Sequence, residues 1–104
     1  MGVYLNGYSV LVEEIHAFGN QDDGIFLSGG GILRRNTASL NGSNGIVTYR
    51  CAVLENALQD NGGYGLAAEL GVYGSNTIDG DGSPGIANFA AVTQNNNACD
   101  GSTC

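Results

Sequence analysis

The amino-acid sequence predicts an all-β solenoid of about five coils, each with roughly 20–22 residues and three short strands. Three observations lead to this prediction. Glycine is abundant, with 18 residues against a single proline, and each glycine in a helix interior costs roughly 1 kcal/mol relative to alanine. A Gly-aliphatic pair recurs at nearly fixed spacing, and asparagines recur with the same period. A period near twenty residues is typical of a solenoid.

The repeat is marked by glycines that each precede an aliphatic residue. The coils are predicted to start near these glycines, namely Gly2, Gly24, Gly45, Gly65 and Gly85. The separation between successive glycines is larger at the N-terminal end of the chain than at the C-terminal end. The aliphatic residues that follow them are Val3, Ile25, Ile46, Leu66 and Ile86. Alternation over the next residues predicts one short strand per coil, with this first position facing the core. Residues 1–104 then form a single domain with a polar tail at 97–104.

Two further apolar registers predict the second and third strands of each coil. The second register consists of adjacent apolar pairs, and its first members are Leu11, Ile32, Ala52, Val72 and Val92. Because strict alternation fails there, we interpret this register as a strand that meets a bend. The third register consists of Ala17, Ala38, Leu58, Ile78 and Ala98.

Asparagine occupies fixed corner positions of the repeat. One set consists of Asn36, Asn56, Asn76 and Asn96, and a second of Asn20, Asn41, Asn61 and Asp81. Asparagine is favoured in turns because it tolerates the left-handed region and bonds local backbone. Identical amides on stacked repeats can also form a hydrogen-bonded ladder. The chain is therefore predicted to wind as stacked coils whose neighbouring strands pair in parallel.

The segments "GIFLSGGGILRRNTASLNGSNGIV" and "ENALQDNGGYGL" resemble the repeats of right-handed parallel β-helix proteins of the pectate-lyase-like superfamily. The resemblance covers residues 2 to about 98 and implies an extracellular or periplasmic location. It implies no single activity, because this scaffold carries lyases, hydrolases, adhesins and structural segments. In the lyases the resemblance implies calcium on aspartates near the first strand and a basic residue as catalyst. In the hydrolases it implies several aspartates on the outward first-strand positions.

The outward first-strand positions here carry almost no carboxylates. They are occupied by Tyr4, Phe26, Val47, Ala67 and Ala87. The residues just beyond the strand are Asn6, Ser28, Tyr49, Glu69 and Phe89, of which only Glu69 is a carboxylate. Glycoside hydrolysis normally needs two carboxylates at a defined separation. We therefore expect no catalytic residues in this chain; the alternative is that it is part of a polysaccharide lyase or hydrolase whose catalytic coils lie outside these residues.

Aromatic side chains on the same face indicate a polysaccharide-binding surface. Tyr4 and Phe26 share an outward phase on adjacent coils and are predicted to stack. The candidate ligand-binding residues are Tyr4, Phe26, Tyr49, Arg50, Glu69 and Phe89. The alternative is an aromatic ladder that packs against another part of the protein.

The arginines allow two interpretations. Arg34 and Arg35 are expected to form surface ion pairs with acidic residues at neighbouring phases, namely Glu13, Glu14 and Glu55. The alternative is a cluster of both with Arg50 that binds an acidic sugar through bidentate contacts.

A metal site and a disulfide remain open. Asp22 and Asp23 lie at a turn before the first strand and could hold calcium, although solvated turn aspartates are the alternative. No other cofactor is expected. Cys99 and Cys104 could close a small loop by a disulfide, with free thiols as the alternative. Cys51 falls in a register of small residues, so we expect a buried, unreactive thiol there.

Charge limits the partners. Ten acidic residues against three arginines give a net charge of −7, which disfavours nucleic acid and anionic membranes as partners. No apolar run reaches transmembrane length, and the N-terminus lacks the features of a signal peptide. Because a coil begins at Gly2 without a cap, we expect flanking coils or end-to-end stacking with another copy. The function hypotheses are a non-catalytic polysaccharide-interacting segment of an extracellular or envelope protein, part of an enzyme, or a structural solenoid that self-associates.

Overall fold

The computed structural model describes residues 2–82 and 85–100, and the backbone of residues 102 and 103. Within these residues the chain is all-β, and none of it forms a helix long and apolar enough to cross a membrane. The strands of the first half are β1 (Val3–Asn6), β2 (Val10–Glu13), β3 (His16–Phe18), β4 (Ile25–Arg34), β5 (Thr37–Ser39), β6 (Ile46–Leu54) and β7 (Ala57–Gln59). The others are β8 (Leu66–Gly74), β9 (Thr77–Asp79), β10 (Ile86–Phe89), β11 (Val92–Thr93), β12 (Ala98–Cys99) and β13 (Ser102–Thr103).

The strands form a parallel β-solenoid of five coils, as the sequence predicts. One sheet has the order β1-β4-β6-β8-β10, with β2 also paired to β4 and β11 also paired to β8. The other sheet has the order β13-β12-β9-β7-β5-β3. Every pair is parallel except β12 with β13. Neighbours in space are therefore residues one coil apart in sequence.

Three faces run along the solenoid, and each is defined by one strand segment per coil. Face 1 comprises residues 3–6, 25–28, 46–49, 66–69 and 86–89. Face 2 comprises residues 10–13, 31–34, 51–54, 71–74 and 92–93. Face 3 comprises residues 16–18, 37–39, 57–59, 77–79 and 98–99.

The bend between faces 1 and 2 is tighter than expected from the sequence. In the three middle coils both faces belong to one long strand, β4, β6 or β8. The bends lie at residues with positive φ, including Gly30 (110°), Arg50 (61°) and Leu70 (55°). The strand pairing resumes directly after the bend, at Gly31, Cys51 and Gly71, with a register shift between Ser28 and Gly31.

The core consists of the inward rungs of the three faces. Ile25, Ile46 and Leu66 stack in register on face 1 and are fully buried, as predicted. On face 2 the second residue of each apolar pair points inward; these residues are Val12, Leu33, Val53 and Tyr73. The first residue of each pair points outward, and Leu11 and Val92 are 55% and 65% exposed. Alternation therefore holds within face 2, and the pairs are apolar because the outward position is apolar as well as the inward one.

An asparagine ladder fills the corner between faces 2 and 3. The Nδ2 of Asn36 donates to Oδ1 of Asn56, and the Nδ2 of Asn56 donates to Oδ1 of Asn76, each at 3.0 Å. The same Nδ2 groups also donate to the carbonyls of Val12 and Leu33. Because these amides are almost fully buried, a complete set of partners removes the cost of burying them.

The fourth place in this ladder is taken by Asn97 and not by Asn96. Asn97 is 2% exposed, whereas Asn96 is exposed and bonds Ser75. The same shift changes face 3, where Cys99 and not Ala98 pairs with Ile78. The cause is one extra residue in the last coil, inserted after Thr93, which still pairs with Tyr73 in the strict period.

Candidate functional site

The outward surface of face 1 carries a stacked aromatic pair. Tyr4 and Phe26 lie opposite each other on β1 and β4. Their ring centroids are 5.1 Å apart and their planes differ by 11°, so the predicted stacking is confirmed. A near-parallel stack at this distance stabilises an aromatic pair. Tyr4 is 58% exposed and Phe26 is partly buried, so the stacked pair leaves apolar ring surface accessible to solvent. We call this pair the aromatic platform.

A second outward column lies beside the aromatic pair. It brings Tyr49, Glu69 and Phe89 into register on β6, β8 and β10. Phe89 is 55% exposed, and Glu69 is the one carboxylate among the ten residues of the two columns. The face therefore combines apolar rings with a single acidic group.

Arg50 lies at the bend directly after this column. Its guanidinium carbon is 5.3 Å from the centroid of the Tyr49 ring. This distance places the cation in the attractive field of the ring face. Arg50 thus comes together with Tyr49, while Arg34 and Arg35 point elsewhere.

Arg34 and Arg35 are held by one carboxylate on face 2. Arg34 Nε and Arg35 Nη2 both donate to Oε2 of Glu13, at 2.5 and 2.8 Å. The hydrogen bond from Arg34, with a further one from Arg35, holds the pKa of Glu13 below its usual value. The predicted ion pairing with Glu13 is confirmed, and it occupies two of the three arginines in the chain.

Asp23 belongs to a hydrogen-bonded ladder between coils, in addition to the two ladders predicted at the asparagine corners. This ladder was not predicted from the sequence. Its Oδ1 accepts hydrogen bonds from the backbone N and Nδ2 of Asn44, at 3.0 and 2.9 Å. Asn44 Oδ1 in turn accepts from the backbone N of Tyr64. Asp22 is exposed, and its carbonyl accepts from the backbone N of Ser43. Within residues 2–82 and 85–100, no three His, Cys, Asp or Glu side chains group as a metal site would require.

The cysteines differ in state. Cys99 is disulfide-bonded, and its predicted partner Cys104 lies outside the described residues. Cys51 is a free, buried thiol that pairs in register with Gly31 and Gly71. Burial raises its pKa, which disfavours the thiolate and makes the group unreactive.

A groove lies at the corner between faces 1 and 2 of the first two coils. It has a volume of about 450 Å³ and is lined by Tyr8, Ser9, Val10, Leu11, Gly29, Gly30, Gly31 and Ile32. We call it the corner groove. It arises because the bend contains three residues in coil 1 and two in coil 2, against one in coils 3 and 4.

The uneven spacing of the repeat glycines is a sequence signal for this groove. The separation between repeat glycines is widest from Gly2 to Gly24, shorter by one position from Gly24 to Gly45, and shorter by one more from there on. The two extra residues of coil 1 and the one of coil 2 are those added to the bend, at 7–9 and 29–30. The uneven spacing therefore marks the coils whose corner protrudes.

Comparison with known proteins identifies the family of this chain but no individual relative. No curated protein and no solved structure gives a significant match. A family model described as "Right handed beta helix region" matches residues 2–82. That match covers most of the chain, including its first three complete coils, so this protein belongs to the right-handed β-helix family.

Proposed function

We propose that this chain is a non-catalytic β-helix module of an extracellular or envelope protein, and that it binds polysaccharide on the outward surface of face 1. The observation that carries the proposal is the stacked, solvent-facing pair of Tyr4 and Phe26. The C–H face of a sugar ring is apolar and packs on an aromatic ring, while its hydroxyls stay in water or bond polar neighbours.

The scaffold supports binding because it holds the rings before a ligand arrives. Parallel strands lie at a spacing of roughly 4.8 Å, and both rings sit on strands in register. Little conformational freedom is then lost on binding, which favours affinity. Tyr49 with Arg50, and Phe89 at the far end of the second column, extend this surface towards the last coil.

The carboxylates of face 1 support a binding role over a catalytic one. Its two outward columns carry Glu69 alone, and hydrolysis of a glycoside normally uses a pair. Glu69 lies between two aromatic residues of its column, Tyr49 and Phe89. We assign it the role of a hydrogen-bond acceptor for sugar hydroxyls.

The test is binding to a panel of polysaccharides by affinity electrophoresis and calorimetry. We expect the double variant Tyr4→Ala, Phe26→Ala to lose on the order of a hundredfold in affinity, about tenfold per ring. The matched control is Phe18→Ala, which removes a 68% exposed ring from face 3 and should leave affinity unchanged. The proposal fails if no polysaccharide binds, or if the double variant binds as well as the unaltered chain.

A second function, self-association, is favoured by the outward column of face 2. This column is apolar in every coil and consists of Leu11, Ile32, Ala52, Val72 and Val92. Exposed apolar strips of this kind mark interaction surfaces. Sedimentation velocity should then show dimers that increase with concentration and disappear in Leu11→Ser, Val92→Ser; a monomer at all concentrations would exclude this function.

A further inference from the structure

We infer that the bound polysaccharide is uncharged and that one of its sugar units occupies the corner groove. This inference rests on the proposed function and adds both a ligand class and a second contact region. It is argued from the chemistry of the groove, its shape, and its position beside Tyr4 and Phe26.

The lining of the corner groove contains no charged side chain. Its eight residues are glycines, aliphatic residues, one serine and one tyrosine, in a chain whose net charge is −7. An anionic polysaccharide would be repelled by that net charge and would need cations at the site. Arg34 and Arg35 are both bonded to Glu13, so they are not free to bind such a ligand. The third arginine, Arg50, packs on the Tyr49 ring at the bend of coil 3 and does not line the groove.

The walls and the floor of the groove suit a sugar. Tyr8, Leu11 and Ile32 are 88%, 55% and 43% exposed and offer apolar contact. Gly29, Gly30 and Gly31 contribute only backbone to the lining, because they carry no side chain. Peptide groups, the Ser9 hydroxyl and the Tyr8 hydroxyl can bond sugar hydroxyls. The volume of about 450 Å³ lies in the range of pockets for small ligands.

The groove is adjacent to the aromatic platform along the chain. Tyr4 and Tyr8 lie on coil 1 on either side of the start of the bend, and Phe26 and Gly29 have the same relation on coil 2. A polysaccharide that runs along the strands of these two coils, from face 1 to the bend, contacts the platform first and the groove next. A short oligosaccharide can occupy the platform alone, so the groove should contribute only to the binding of longer ligands.

The experiment compares neutral oligosaccharides of increasing length, and neutral with polyuronate polymers, by calorimetry on the full chain. For Tyr8→Ala we expect on the order of a tenfold loss of affinity for long neutral ligands and no loss for short ones. Tyr64→Ala, which removes a ring that is 36% exposed in a loop away from the groove, is the matched control. A charge variant, Leu11→Lys, should weaken neutral binding and strengthen polyuronate binding.

The outcomes separate this inference from the proposed function. If Tyr4→Ala, Phe26→Ala abolishes binding of a neutral glycan while Tyr8→Ala and Leu11→Lys leave it unchanged at every length, the proposed function stands and the groove is excluded. Tighter binding of polyuronate than of neutral polymer by the unaltered chain would overturn the ligand class. Absence of binding to any polysaccharide would overturn both.

Discussion

Asn97 accepts two hydrogen bonds through Oδ1, one from the backbone N and one from Nδ2 of Asn76, each at 3.0 Å. Both residues are almost completely buried. The neighbouring Asn96 lies in solvent, where it bonds Ser75. The last coil thus completes the buried amide ladder through a residue that lies one position beyond the strict period.

Replacing Asn97 with alanine should destabilise the fold. The change leaves the buried N–H of Asn76 without its partner, and an unsatisfied buried group costs about 1–3 kcal/mol. We expect a loss of about 2–3 kcal/mol for Asn97→Ala and less than about 1 kcal/mol for Asn96→Ala, which alters an exposed residue. Urea unfolding followed by circular dichroism measures both, and equal losses would contradict the assignment.

Thr48 offers a stabilising substitution. Its Oγ1 is buried and has no hydrogen-bond partner, in the inward column that also contains Leu27 and Ala68. Thr48→Val keeps the shape and removes the unsatisfied hydroxyl, so we expect a gain of about 1 kcal/mol. For a chain of this size that raises Tm by roughly 4–8 °C. Thr48→Ser keeps the hydroxyl and removes a methyl group, and should lower Tm; a lower Tm for the valine variant would refute the argument.

The periodic features of this molecule could be predicted from the sequence because of the geometry of a solenoid. Residues one period apart become neighbours in space, so residues that share a position in the repeat are predicted to contact each other. The rung of Ile25, Ile46 and Leu66 follows from this, and so does the stacking of Tyr4 on Phe26.

The features that could not be predicted lie where a coil departs from the period. Within the segment Gln94–Asn97, any of three consecutive asparagines could occupy the ladder between faces 2 and 3. Only the backbone conformation of the last coil determines that Asn97 does so. Similarly, the outward direction of Leu11 depends on how the chain turns between faces 1 and 2. Asp23 gave no signal either, because its ladder consists of an aspartate, an asparagine and a backbone N–H.

The glycines of the coil 2 bend differ in their tolerance of a side chain. A Cβ on Gly31 would collide with the carbonyl oxygen of Val10, whereas a Cβ on Gly30 would meet only the Arg50 carbonyl oxygen at 3.6 Å. Both have positive φ, so alanine costs about 1–2 kcal/mol at either position. Gly31→Ala adds a backbone clash and should lose more than about 3 kcal/mol. Thermal unfolding of the two variants gives the comparison; equal Tm values would show that coils 1 and 2 can separate at this corner.

Asp81 ends the second amide ladder with a carboxyl group. Its Oδ1 accepts from the backbone N and Nδ2 of Asn61, at 2.8 and 2.7 Å. Its Oδ2 is buried without a partner, whereas the Nδ2 groups of Asn41 and Asn61 donate to carbonyls of face 3. Burial raises the pKa of Asp81 above its ordinary value of 3.8, and the charges of Asp60 and Asp100 add to this against the hydrogen bonds from Asn61.

Asp81→Asn should therefore stabilise the protein by about 1 kcal/mol at neutral pH, because an amide supplies the missing donor. A carboxyl group with a raised folded-state pKa binds its proton more tightly in the folded protein than in the unfolded chain. The destabilisation caused by the buried carboxylate is therefore complete above the folded-state pKa, and it is relieved as pH falls through that pKa towards 3.8. The difference in urea midpoint between the variant and the unaltered chain should accordingly be largest at neutral pH and shrink on acidification. The matched control is Asp22→Asn, at an exposed turn, which should change the urea midpoint little. A gap for Asp81→Asn that widens as pH falls would contradict the buried carboxylate as its cause.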